Sequence, residues 1–312
     1  MIVLEGLTKR YRQVVAVEGI TLSLEPGRVV ALVGPNGSGK STLLKLCAGL
    51  IRPTRGRVRV FGHDPFQRPS LALRHISYLP QRPELPAELS VWEVVDFYRR
   101  LRGLPPERTE EVLRTVGLYE LEQADKLCRE LSGGLAQRTT LAIALLAEAD
   151  FLLLDEPTAQ LDPRSAKDFF DFLKETHARS GGRHGIIIAT HLLDELVGFT
   201  DRIIFLCGGK VVGDLDRQEL DRQVEEMEQL RIEVEGDGDE VVRVAREAGA
   251  RKVSPNAKGY LVVADPESRA RVVSELERRG LRVRSLEVIP GRLEKLYLKL
   301  IDQVVEEAQS GE

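Results

Sequence analysis

Cysteine, methionine and tryptophan are scarce: three, two and one among 312 residues. Cys47, Cys128 and Cys207 are scattered and odd in number, which argues against a disulfide framework and against a cysteine-built metal site. No stretch approaches the roughly 20 apolar residues needed to cross a bilayer. The start, Met1-Ile2-Val3-Leu4-Glu5, has neither the basic beginning nor the apolar length of a secretory signal. An excess of positive charge is also missing. Lys and Arg number 45 against 49 Asp and Glu, a net charge of −4. Bulk charge therefore offers no general attraction to nucleic acid or to an anionic membrane surface. The expectation is a cytosolic chain whose membrane role, if it has one, runs through a partner. At this length two domains are expected.

What is present is a phosphate-binding pattern. Gly34-Pro35-Asn36-Gly37-Ser38-Gly39-Lys40-Ser41-Thr42 follows the apolar run Val29 to Val33 and precedes the helical pattern Leu43-Leu44-Lys45-Leu46. Strand, glycine loop and helix in that order are what a phosphate loop requires. The glycines let the backbone wrap an anion with its N–H groups pointing inward. Lys40 adds a point charge for the β- and γ-phosphates, and the helix presents its positive end. Ser41 is placed to offer a hydroxyl to Mg²⁺. The pattern predicts a nucleoside-triphosphate-binding protein.

Downstream, Leu131-Ser132-Gly133-Gly134-Leu135 introduces the apolar helix Leu141 to Leu146, a second start with hydroxyl and backbone donors. Phe151-Leu152-Leu153-Leu154-Asp155-Glu156 then ends a buried strand on two carboxylates, costly unless a cation or a reaction needs them. Asp155 is expected to hold Mg²⁺, and Glu156 to orient and deprotonate a water.

In order and spacing these motifs resemble the ATP-binding-cassette (ABC) ATPase family over roughly residues 1 to 215. The resemblance implies an α/β phosphate-loop cassette with a mixed sheet and a helical subdomain, using ATP and Mg²⁺. It implies that Tyr11 stacks on adenine and that Gln81, in Tyr78-Leu79-Pro80-Gln81, touches Mg²⁺ and water. Ser132, Gly133 and Gly134 look like the signature that closes over the γ-phosphate of a second subunit. Asp162 looks like the loop between the two sites, and His191 like the switch that contacts the γ-phosphate. A homodimer coupled to a membrane permease follows, held at the cytoplasmic face and without nucleic acid. Two positions depart from the family pattern: Leu135 stands where Gln is usual, and Gln160 where Gly often precedes the loop leucine.

Residues 216–229 are highly charged and are expected to be a linker. Beyond them, 230–312 reads as a small α+β domain of βαββαβ order, ferredoxin-like, with a terminal helix over Leu293 to Val304. Lys258-Gly259 and Pro290-Gly291 are its turn punctuation. The segment Pro86 to Glu93 and the ending Gly291 to Leu300 resemble the ABC-2 export branch. Length and appended domain are also similar to the ATPase component of the copper-maturation system of nitrous oxide reductase. The competing expectation is a soluble ABC ATPase acting on a ribosome, nucleic acid or protein complex without a permease.

Overall fold

A computed structural model describes residues 1–82, 84–119, 123–191, 198–227, 229–256, 259–289 and 293–310. The chain divides into two compact units, Met1–Asp214 and Leu215–Glu312.

The first unit opens with strands β1 (Ile2–Tyr11), β2 (Val14–Leu24) and β3 (Val29–Val33), then helix α1 (Lys40–Cys47). Strand β4 (Arg55–Val60), helix α2 (Pro69–Leu73) and strand β5 (Ile76–Leu79) follow. Three helices come next, α3 (Val91–Leu101), α4 (Glu107–Thr115) and α5 (Gly133–Leu145). Strand β6 (Phe151–Asp155), helix α6 (Pro163–Arg179) and strands β7 (Gly185–Thr190), β8 (Arg202–Cys207) and β9 (Lys210–Asp216) complete it. They build a three-stranded antiparallel sheet in the order β2-β1-β4 and a six-stranded sheet in the order β5-β6-β7-β3-β8-β9.

The first five strands of the larger sheet run parallel. Strands β3, β6 and β7 are buried along their whole length. Their continuous apolar runs suit strands covered on both faces. Each fully buried Leu or Ile there contributes about 1.5–3 kcal/mol, so the middle of the sheet carries much of the unit's apolar burial. Helix α3 starts on a capping box, with Ser90 and Glu93 each bonding the other's backbone N–H.

The second unit begins with helix α7 (Arg217–Met227), where a linker is expected from the sequence. Strand β10 (Gln229–Glu235), helix α8 (Gly238–Glu247) and strands β11 (Lys252–Asn256) and β12 (Gly259–Val263) follow. Helix α9 (Pro266–Arg278), strand β13 (Arg282–Ile289) and helix α10 (Leu293–Ser310) end it. The sheet order is β11-β12-β10-β13, antiparallel throughout, as a βαββαβ chain of ferredoxin-like topology requires. Its core joins Leu230 and Ile232 of β10 to Val241 and Val244 of α8 and to Val272 and Leu276 of α9. Of the expected turn residues, Lys258, Pro290 and Gly291 lie outside the described residues.

Candidate nucleotide-binding site

Neighbouring parallel strands deliver the site. Register pairs Val33 of β3 with Thr190 of β7, and Asp155 of β6 with Ala189 of β7. Gly34, Glu156 and His191, each one residue beyond its strand, therefore emerge side by side at the carboxyl ends. That edge is where ligands bind in open α/β sheets.

The loop from Gly34 wraps tightly. Gly37 and Gly39 have φ of 82° and 106°, in the region glycine favours. A Cβ on Gly39 would meet the Ala16 carbonyl oxygen at 2.3 Å. Helix α1 starts directly after Gly39 without a side-chain cap. The N–H groups of Lys40, Ser41 and Thr42 thus have no helical acceptor and are available to an anion. Ser38 Oγ is buried and has no hydrogen-bond partner among the described residues.

Six charged or polar side chains meet beneath the loop. Lys40 is 4% exposed; its Nζ donates to the carbonyls of Gly34 (2.7 Å) and Pro35 (3.1 Å) and lies 3.5 Å from Glu156 Oε1. Ser41 Oγ donates to Asp155 Oδ1 at 2.7 Å. Gln81 Nε2 donates to Glu156 Oε2 at 3.2 Å, and His191 Nδ1 stands 3.5 Å from the same oxygen. Glu156 has φ of 43°, uncommon for a residue with a side chain, while its N–H donates to the Ala189 carbonyl. The carboxylate is thus held by β7, Lys40, Gln81 and His191 together.

The cleft measures about 460 Å³ and is lined by the loop, Gln81, Glu156 and, at its mouth, Tyr11, Val14 and Ala16. Tyr11 is 44% exposed with Lys9 Nζ 4.9 Å from its ring centroid. Sequence reasoning missed Val14 and Ala16, whose small apolar side chains carry no chemical signal. It also missed Tyr78, whose hydroxyl donates to Asp155 Oδ2 at 2.9 Å. Burial, and then the Asp155 carboxylate, push the Tyr78 phenol above its usual value, so it stays protonated at neutral pH. Its place three residues before Gln81, on β5 beside β6, is the one available signal.

The signature residues lie elsewhere. Ser132 caps α5, its Oγ accepting from Leu135 N. Ser132, Gly134 and Leu135 line a separate cleft with Arg138, Ser165 and Asp168, and none of them lines the phosphate-loop cleft. Gly133 faces Leu161 so closely that a Cβ would sit 3.1 Å from its Cδ2. Asp162 caps α6 by accepting from Arg164 N and Ser165 N. At Leu135 the backbone supplies the cap and the side chain does not, so the departure from Gln leaves the cap intact. Gln160 is exposed.

Residues 17–159 match the family model described as ABC transporter. The daunorubicin/doxorubicin resistance ATP-binding protein DrrA of Streptomyces peucetius is 32% identical, over 98% of this chain and 96% of that protein. The ABC transporter ATP-binding protein YxlF of Bacillus subtilis (strain 168) is 30% identical, over 96% and 99%. Among solved structures, the dimeric post-hydrolysis state of the ATP-binding cassette MJ0796 with ADP and Pi is 28% identical. Its TM-score is 0.60, covering 70% of this chain and 99% of that one. The cbiO1 protein of Clostridium perfringens, part of the transporter complex cbiONQ, is 28% identical with a TM-score of 0.64, covering 71% and 90%. With its phosphate loop, strand-end carboxylates and full-length relatives, the chain belongs to the ATP-binding proteins of ABC transporters, as an ATPase subunit.

Proposed function

We propose that two copies of this chain close around two ATP molecules and that hydrolysis in this homodimer drives a membrane permease at the cytoplasmic face. The observation that carries the reading is the separation of the two anion-directed surfaces. The phosphate-loop cleft and the Ser132–Gly134 cleft have no lining residue in common. A signature that cannot close its own site finds its ligand in a second copy. Unit Met1–Asp214 carries the chemistry, and the second unit serves dimer support or partner docking.

In each site the loop N–H groups and Lys40 hold the phosphates, and Tyr11 with Val14 and Ala16 receives the base. Glu156 takes the proton of the attacking water. Gln81 and His191 hold that carboxylate and the water in line, and Asp162 sets the loop between the two sites. Ser132, Gly133 and Gly134 bind the γ-phosphate of the opposite subunit. Catalysis is then positioning and electrostatics, with no covalent intermediate.

Ser41, Asp155 and Gln81 present hydroxyl, carboxylate and amide oxygen, a hard donor set suited to Mg²⁺. Held by Ser41, Asp155 and Gln81, such an ion would supply positive charge against the charge that develops on the phosphates. The full-length drug-resistance relatives favour the export branch over the copper-maturation system. No helix among the described residues is long and apolar enough to cross a membrane; in this reading the permease is a separate chain.

Light scattering on the Glu156→Gln protein tests the dimer: with saturating ATP its mass should double, and a monomer there overturns the reading. Captured from solubilised membranes, the same variant should bring a polytopic membrane protein at near-equal stoichiometry. Ribosomal proteins in its place would move the chain to the soluble class.

A further inference from the structure

The net charge of −4 is unevenly spread. Between Arg52 and His75 the chain carries six arginines (52, 55, 57, 59, 68 and 74) against one acid, Asp64. Strand β4 sits at the edge of the three-stranded sheet. It turns Val58 and Val60 into the core and leaves Arg55, Arg57 and Arg59 exposed. Arg57, Arg59 and Arg68 line one cleft of about 410 Å³ together with His63, Asp64 and Gln67. Asp64 is engaged locally: its Oδ1 accepts from Phe66 N at 2.7 Å and Gln67 N at 3.2 Å. The three guanidiniums have no carboxylate partner among the described residues. Three arginines against Asp64 in the lining, and against Glu5 across the ladder from Arg57, leave one uncompensated positive charge. Elsewhere the arginines of this chain mostly find acids, as Arg202 does with Asp214 and Arg114 with Glu110. Convergent arginines without a counter-ion repel one another, and an anion relieves that repulsion.

We propose that this cleft, separate from the phosphate loop, binds a phosphate-bearing anion through Arg57, Arg59 and Arg68. Planar guanidinium forks match tetrahedral phosphate oxygens in bidentate pairs. His63 and Gln67, which line the same cleft, offer further polar groups. Phe61 and Leu71, each 37% exposed, stand next to it in the chain, one before Gly62 and one a turn beyond Arg68. A phospholipid headgroup and a soluble phosphate ester share the required chemistry.

Two probes separate the sources. Flotation of the full-length protein with mixed phosphatidylglycerol and phosphatidylcholine vesicles, against phosphatidylcholine alone, reads the lipid. Titration with inorganic pyrophosphate, with excess ADP filling the phosphate loop, reads the soluble anion. Removing one arginine near an anionic surface weakens attachment about fivefold. Arg68→Gln alone should show that loss, and the triple Arg57→Gln, Arg59→Gln, Arg68→Gln variant about a hundredfold. ADP affinity should be unchanged in both variants, which shows that they fold. Loss of vesicle binding in the variants assigns a lipid headgroup. Loss of saturable pyrophosphate binding assigns a soluble phosphate. Equal binding of the probes by wild type and variants, or no binding of either probe by wild type, overturns the proposal.

Discussion

The two units handle charge in opposite ways. In Met1–Asp214, Lys40, Asp155 and Glu156 are buried at 4%, 2% and 8% exposure and face one another at one sheet edge. In Leu215–Glu312 the buried charged residue among those described is Arg269, satisfied by the backbone carbonyls of Ala264 and Glu225. Other ion pairs of that unit lie on its surface, such as Glu275 with Arg278 and Arg279. Burying a charge is costly unless a partner or a ligand compensates it. A cluster of buried charges at strand ends therefore marks chemistry, whereas surface pairs mark a solvated face.

The comparison breaks first at Glu156. If its carboxylate is the general base, Glu156→Gln should slow turnover by about 10²–10⁴-fold, the scale of a lost base. The amide is nearly isosteric, so ATP affinity should stay within a few-fold of wild type. Single-turnover hydrolysis beside equilibrium ATP binding measures both. Unchanged turnover would show that the buried carboxylate is structural, and the contrast between the units would lose its meaning.

The opposite experiment attacks the second unit's core. Ile232 is fully buried between α8 and α9 in the sheet centre. Ile232→Ala should destabilise that unit by about 2–5 kcal/mol, the cost of a large-to-small core change. Denaturant unfolding followed by hydrogen exchange should place the loss in residues 229–289, with ADP affinity unchanged. Nucleotide affinity falling in step would show that the two units do not divide the work.

Legibility in the sequence followed the same division. Strands β3, β6 and β7 were readable because burial on both faces makes them continuous apolar runs, and phosphate-binding chemistry needs contiguous residues. The βαββαβ order of the second unit was readable from alternation and turns. Helix α7 was not. Its composition is mostly charged, and among its described residues Leu220 is the buried apolar one that anchors it. The pairs Arg217–Asp221 and Arg222–Glu219 run along its surface, and such pairs support a helix that shows little apolar periodicity. Strands β1 and β2 run longer than the runs Ile2–Leu4 and Ile20–Leu24 because bulges interrupt the alternation that marks a strand. Tyr78, Val14 and Ala16 escaped because they reach the site from other strands, and only the folded register brings them there.

Tyr78 sharpens the comparison at smaller scale. Its hydroxyl and that of Ser41 hold the two oxygens of Asp155. Tyr78→Phe removes one hydrogen bond to a buried carboxylate, about 1.5 kcal/mol at the lower end for a charged acceptor. ADP affinity at limiting Mg²⁺ should fall about tenfold, and the loss should shrink at saturating Mg²⁺. Equal losses at both concentrations would assign Tyr78 to packing alone.

The smallest effect belongs to the surface pairs. Hydrogen bonds from Arg278 and then Arg279 lower the Glu275 carboxyl from the usual 4.5 to about 2. A depressed carboxyl stabilises the folded state above its unfolded value, and that contribution is lost as pH falls from 4.5 towards 2. Glu275→Gln should therefore unfold slightly earlier than wild type at pH 7, with the difference closing across that window. Solvent screening keeps the difference small, and added salt should reduce it further. A large gap at neutral pH, insensitive to salt, would mean that this pair works like the buried charges of the first unit.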